Sequence, residues 1–104
     1  KVFDVVEQMP EYPGGQAALI EYISNNVKYP ADAEKKKVEG KVFVTFVVDT
    51  DGKITDVSLL RKVFPSLDAE AIRVISGMPN WIPGQQKGQV VRVKYTVPIM
   101  FRLK

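Results

Sequence analysis

The sequence contains no cysteine and no histidine. Without cysteine it can carry neither a disulfide framework nor a thiolate metal site. That absence suits the cytoplasm and the periplasm equally and does not separate them. Without histidine, Ser-His-Asp and Cys-His catalysis, the usual base near neutral pH and the commonest zinc ligand are all lost. Long hydrophobic runs are also missing: none approaches the roughly 20 residues of a membrane-spanning helix. Charge of one sign is in small excess, a net +3. That helps association with an acidic partner but is weak support for nucleic-acid binding. What remains is 104 residues, 45% of them hydrophobic, which suffices for one compact domain with a core. The chain opens at Lys1 with no initiator methionine and no signal-like segment, as expected of a fragment of a longer protein.

Lys1–Val6 reads as a short strand, and Met9–Gly15 as punctuation rich in proline and glycine. A helix is expected next, with Leu19, Ile20, Ile23 and Val27 on one apolar face. Tyr29-Pro30 restarts the chain into a second helix, with Asp32 and Glu34 early, Lys35, Lys36 and Lys37 late, and Gly40 as its stop. The lysine run reads as a solvated helix end. Val42–Val48 is apolar on both faces and belongs in the centre of a sheet. Asp49–Lys53 is a turn, and Ile54–Arg61 returns as the second arm of a hairpin. Pro65-Ser66 opens a third helix with Ser66 as its expected cap and Leu67, Ala71, Val74, Ile75 and Met78 as its apolar stripe. Asn80–Gly88 reads as a loop, with Trp81 beneath it as a cover for the core.

From Val90 to Lys104 the alternation is nearly unbroken. Val91, Val93, Tyr95, Val97, Ile99, Phe101 and Leu103 face one way; Arg92, Lys94, Thr96, Pro98, Met100, Arg102 and Lys104 face the other. At about 3.3 Å per residue this strand reaches roughly 45–50 Å, beyond its hairpin neighbours. Pro98 confines it to an edge, and its alternate charges guard that edge against indiscriminate pairing.

Candidate chemistry is thin. Asp49-Thr50-Asp51-Gly52 lacks the further ligands of a calcium loop. Asp68 and Glu70 fit the first turn of a helix, where the dipole explains them without acid–base work. Gly14-Gly15 has neither a P-loop nor a dinucleotide fingerprint around it. No catalytic residue, metal ligand or cofactor site is assigned. An RNA-recognition domain shares the order strand–helix–strand–strand–helix–strand. However, the basic residue, glycine and aromatic of Gly40–Phe46 are in the wrong order, and Phe43 and Phe46 lie on opposite faces. Nucleic acid is therefore not the expected partner.

A set of motifs in fixed order and spacing resembles the TonB C-terminal domain family, especially its Bacteroidetes-type versions. They are Tyr29-Pro30, Glu39–Val44, Phe46–Asp49, Asp51–Val57, Leu67–Ala71, Met78–Trp81, Pro83-Gly84 and the closing strand Val90–Leu103. The resemblance covers about Tyr29–Lys104. It implies a non-enzymatic periplasmic domain of an inner-membrane-anchored protein driven by an ExbB/ExbD-like motor. Such a domain captures the TonB box of an outer-membrane receptor; it also occurs fused to membrane sensor-peptidases.

The fold expected is α+β: two to three helices on one face of a three-stranded antiparallel sheet, with an extra N-terminal strand in prospect. Residues 1–104 form one domain, 1–28 an extension and 29–104 the core. The expected partner-binding segment is Val91, Arg92, Val93, Lys94, Tyr95, Thr96 and Val97, recognised by strand addition. Pro98 has no N–H and is best tolerated facing the open edge. By alternation, Arg92, Lys94 and Thr96 then offer their main-chain groups outward, while Val91, Val93, Tyr95 and Val97 bond the central strand. The same edge permits homodimerisation, and Val2–Val6 is extended-prone enough to lie along it as an internal stand-in.

Overall fold

The computed structural model describes residues 1–103. In chain order the elements are β1 (Val2–Phe3), α1 (Gln16–Asn26), α2 (Ala31–Lys35), β2 (Gly40–Val48), β3 (Ile54–Arg61), α3 (Pro65–Ser76), β4 (Gly84–Gln86) and β5 (Gln89–Phe101). The strands run in the order β1-β5-β2-β3, with β4 also paired to β5. β2 is central, antiparallel to both β3 and β5. Its doubly apolar pattern explains the position: Val42, Val44, Phe46 and Val48 are fully buried in the core, and Val47 is buried on the other face. Helix α3 contributes Leu67, Ala71, Val74 and Ile75 to the same core, and α1 contributes Leu19.

The α+β architecture is as expected, but the sheet has five strands among the described residues rather than three. β5 pairs with β2 only over Val93–Phe101, so its first four residues overhang. β4 and β1 fill that overhang, β4 antiparallel on Gln89–Val91 and β1 parallel on Arg92–Val93. β4 falls in the stretch read as loop. Gly-Gln-Gln carries no apolar alternation, and its pairing is set by a two-residue turn, Lys87-Gly88, with φ of 53° and 76°, the geometry of a tight hairpin. The N-terminal segment continues beside β4: Gln8 and Gln85 exchange main-chain bonds of 3.0 and 2.8 Å, as do Glu11 and Ile82.

Three local expectations are corrected. α2 stops at Lys35, well before Gly40. Lys37 adopts a left-handed φ of 56°, while the Lys37 and Val38 N–H groups donate back to the carbonyls of Glu34 (3.0 Å) and Ala33 (2.8 Å). This paired closure satisfies the helix end without glycine. At the start of α3 the cap position is Phe64, because Pro65 takes the first helical position with its preset φ. The buried Ser66 hydroxyl has no hydrogen-bond partner among the described residues, and Asp68 instead reaches back to accept the Val63 N–H at 3.0 Å. On α1, Ile20 is 59% exposed rather than buried. Adjacent helical residues lie about 100° apart, and Leu19 holds the inward direction.

Two tethers place α1 and the turn. The Tyr22 hydroxyl donates to the Val74 carbonyl at 2.8 Å. Glu70 accepts two bonds from Arg73 and one from the Lys28 N–H, each 2.7 Å, while Arg73 also donates to the Asn26 carbonyl at 2.9 Å. The Arg73 guanidinium thereby holds the Glu70 carboxyl below its ordinary pKa. At the other end, Asp49–Lys53 is a turn closed by Asp49 N–H to Lys53 and Gly52 N–H to Asp49, both 2.9 Å. The Gly52 carbonyl accepts the Trp81 N–H at 2.8 Å. Trp81 then meets the rings of Tyr12, Phe46 and Tyr95 at centroid distances of 5.8, 5.3 and 5.0 Å.

A β-carbon at position 52 would lie 2.1 Å from the Trp81 carbonyl oxygen, whereas one at Gly88 meets nothing. Both glycines have positive φ. Gly88→Ala is therefore expected to cost the left-handed strain alone, about 1–2 kcal/mol. Gly52→Ala adds steric displacement of Trp81 and should lose about 3 kcal/mol or more by urea denaturation. Equal losses would refute the close approach. For the Glu70 tether, a depressed carboxyl pKa contributes stability above its unfolded value, about 4.3, and loses it as pH falls through the folded one. Glu70→Gln should thus cost about 1 kcal/mol at pH 7, because solvent at the half-exposed Arg73 screens the pair, with the gap to wild type narrowing as pH falls below the unfolded value.

Candidate functional site

The sheet has two outer edges, and they differ. The β3 edge is distorted: its register against β2 shifts twice, and Asp56 has a φ of 50°. Bulges and kinks of this kind spoil an edge for pairing. β5 runs from Val93↔Val48 to Phe101↔Gly40 without a shift. On its side away from β2, β1 meets only Arg92 and Val93. The parallel pairing of Phe3 with Val93 engages the Lys94 N–H, and beyond that group no strand among the described residues pairs with this side.

Two hydroxyl groups fix the direction of the main chain along this edge. Thr45 donates to the Tyr95 carbonyl at 3.3 Å, and Thr55 donates to the Val47 carbonyl at 3.4 Å. The Tyr95 carbonyl therefore points toward β2, and the Val47 carbonyl toward β3. In an antiparallel ladder both polar groups of one residue point to one neighbour and those of the next residue to the other. Phe46 and Tyr95, opposite each other, thus face one another with their main-chain groups. Lys94 and Thr96 direct theirs outward. Pro98 shares that outward direction, so its missing N–H interrupts no bond to β2. Arg92 faces outward too, but there Val2 of β1 lies opposite it.

The side chains of the seven candidate residues divide by depth. Val93 and Val97 are buried, Val91, Arg92 and Tyr95 half-buried, and Lys94 and Thr96 exposed. Tyr95 packs against Phe46 and Trp81. The Arg92 guanidinium turns across the open face of the sheet, 3.7 Å from Asp49 and 3.9 Å from Asp56. Its charge thereby faces carboxylates of the β2–β3 turn and of β3 rather than the edge. Of the seven, Lys94 and Thr96 combine outward main-chain groups with exposed side chains, and from the Lys94 carbonyl through Thr96 no strand lies beside them among the described residues.

One feature of the edge escapes the sequence pattern. Between α1 and the far half of β5 lies a groove of about 500 Å³ lined by Ile20, Ile23, Val27, Pro98, Met100 and Arg102, with Ser24 at its wall. Its signal in the sequence was the consecutive pair Leu19-Ile20: both cannot enter one core, so one must look elsewhere. Acid–base chemistry finds no support in the carboxylates noted above, since Asp68 holds the Val63 N–H and Glu70 holds Arg73. Phe46, one of the two aromatics of the Gly40–Phe46 stretch, is fully buried and offers no face to a base.

Comparison with known proteins agrees with this architecture. Residues 25–103 match the family described as the Gram-negative bacterial TonB protein C-terminal. Protein TonB of Helicobacter pylori, in strains J99 and 26695, is 29% identical over 83 residues, 79% of this chain and 28% of the relative. The chain therefore spans under a third of the length of these curated relatives. Two NMR solution structures of the H. pylori TonB C-terminal domain superpose on it at 25% identity. One has a TM-score of 0.63 and covers 83% of this chain and 78% of that one; the other has 0.61 and covers 85% and 92%.

Proposed function

The chain belongs to the TonB C-terminal domain family, and from that premise we propose that it captures the TonB box of an outer-membrane receptor by strand addition to β5. In this reading it works in the periplasm, performs no chemistry of its own, and passes on force. That force comes from an ExbB/ExbD-like motor through parts of the parent protein beyond this chain. The parent is an energy transducer or a sensor-type fusion, and the edge serves the same purpose in either.

The observation that carries the reading is the outward main chain from the Lys94 carbonyl through Thr96, on a straight edge that no strand pairs among the described residues. Main-chain bonds to an added strand supply affinity, and alternate side chains supply selectivity. The expected site thus narrows from Val91–Val97 to a contact window opening at Lys94, since β1 already lies against Arg92 and Val93. A second copy of the domain could compete for the same edge, which dilution during the titration separates from peptide binding.

Titration of the ¹⁵N-labelled domain with a panel of TonB-box peptides from one genome should shift the amides of Lys94 and Thr96. Lys94→Pro should abolish binding and leave the domain folded, because inside the domain its N–H serves only the carbonyl of Phe3 in the two-residue β1, a loss of about 0.5–1.5 kcal/mol. Lys94→Ala should change affinity little. Unfolding by Lys94→Pro, or unchanged affinity in it, would refute the assigned direction. Salt-dependent capture of single-stranded RNA with no peptide binding would refute the function. Loosening β1 with Val2→Gly and Phe3→Gly should free the Arg92 main chain. At about 0.5–1.5 kcal/mol per hydrogen bond, peptide affinity should rise several-fold; a fall would show that β1 organises the edge rather than occupying it.

A further inference from the structure

Strand addition at Lys94 and Thr96 leaves the groove beside Pro98 without a role. It lies where the edge is weakest as a hydrogen-bonding template, since Pro98 accepts through its carbonyl but donates nothing. It is also where apolar surface gathers. Ile20 on the α1 wall is 59% exposed and Met100 on the β5 wall is 46% exposed, with Ile23, Val27 and Pro98 between them. Single exposed apolar residues are ordinary on a protein surface, but these line the two sides of one groove. Arg102 is the charged residue that lines it, and no ion pair is formed by Arg102 among the described residues.

Resting on the strand-addition reading, we propose that this groove is a specificity subsite. It takes one apolar side chain of the added strand, with an acidic residue of the same peptide beside Arg102. An added strand lies about 4.8 Å outside β5 and sends alternate side chains to opposite faces. Its path past Pro98 and Met100 is continuous with the pairing window at Lys94 and Thr96. On the helix side of that path the side chains meet Ile20, Ile23 and Val27. The peptide therefore exchanges one form of recognition for another along its length. Main-chain bonding is sequence-blind and prevails up to Thr96. Apolar burial, which reads the sequence, takes over where proline removes the donor.

The test uses the tightest peptide of the panel and its serine scan against wild type, Ile20→Ser and Arg102→Gln domains, with Lys94→Pro as control. Ile20 is exposed, so its replacement should leave the thermal midpoint unchanged. Ile20→Ser is expected to weaken the parent peptide about 10-fold. One apolar peptide position should lose its sensitivity to serine in that background alone, the non-additivity of a direct contact. Arg102→Gln should weaken only peptides that carry the acidic residue. If Ile20→Ser has no effect, or every scan position adds independently, the subsite is overturned while strand addition stands, provided Lys94→Pro still abolishes binding. If equal losses appear with neutral peptides in Arg102→Gln, the acidic preference falls. Binding that survives Lys94→Pro, or binding of no peptide in the panel, overturns the subsite together with strand addition.

Discussion

A strand of thirteen residues is paired to a central strand of nine, and much of the molecule follows from that mismatch. The excess length of β5 cannot be satisfied by β2. At one end it is met by a three-residue arm folded back through Lys87-Gly88 and by two residues from the N-terminus. On the outer side beyond the Lys94 N–H it is met by no strand among the described residues, which leaves a run of polar main chain facing solvent. Backbone N–H and C=O groups are obligatory hydrogen-bonding groups. An edge that stays straight therefore keeps its capacity to pair, while the bulged β3 edge has largely given it up.

The core determines which side of this edge is available. Even residues of β2 and odd residues of β5 face the helices, which fixes the side-chain faces. For L-residues the side-chain face and the strand direction together fix the in-plane direction of the carbonyls, and the bonds from Thr45 and Thr55 report it. Trp81 joins the two levels. Its ring fills the space between Phe46, Tyr95 and Tyr12, and its main chain is held to the β2–β3 turn at Gly52. Asp49, from the same turn, then holds the Arg92 guanidinium at the start of the open segment.

Elements with strong periodicity were legible in the sequence. The doubly apolar Val42–Val48 and the proline-bearing Val90–Leu103 gave the central and edge strands, because burial on two faces and a missing N–H each admit few positions. The smaller pieces were not legible, for physical reasons. β1 and β4 comprise two and three residues, too few for a pattern, and exist only because β5 overhangs. Lys37 does the work usually given to glycine, so no residue type marked the end of α2. Ile20 satisfies the helical period nearly as well as Leu19, and only the placement of α1 at the sheet edge decides between them. The groove at the edge is accordingly the part of the site that needed coordinates.

The unshifted register of β2 against β5 has a mechanical consequence. Nine consecutive residue pairs join the two strands. A load applied along β5 bears on all of these pairs together as shear, whereas a load across the sheet would open them in turn from one end. The shear direction resists far more before anything yields. A strand laid outside Lys94 and Thr96 inherits the same axis, so tension along it would be shared in parallel with the ladder beneath.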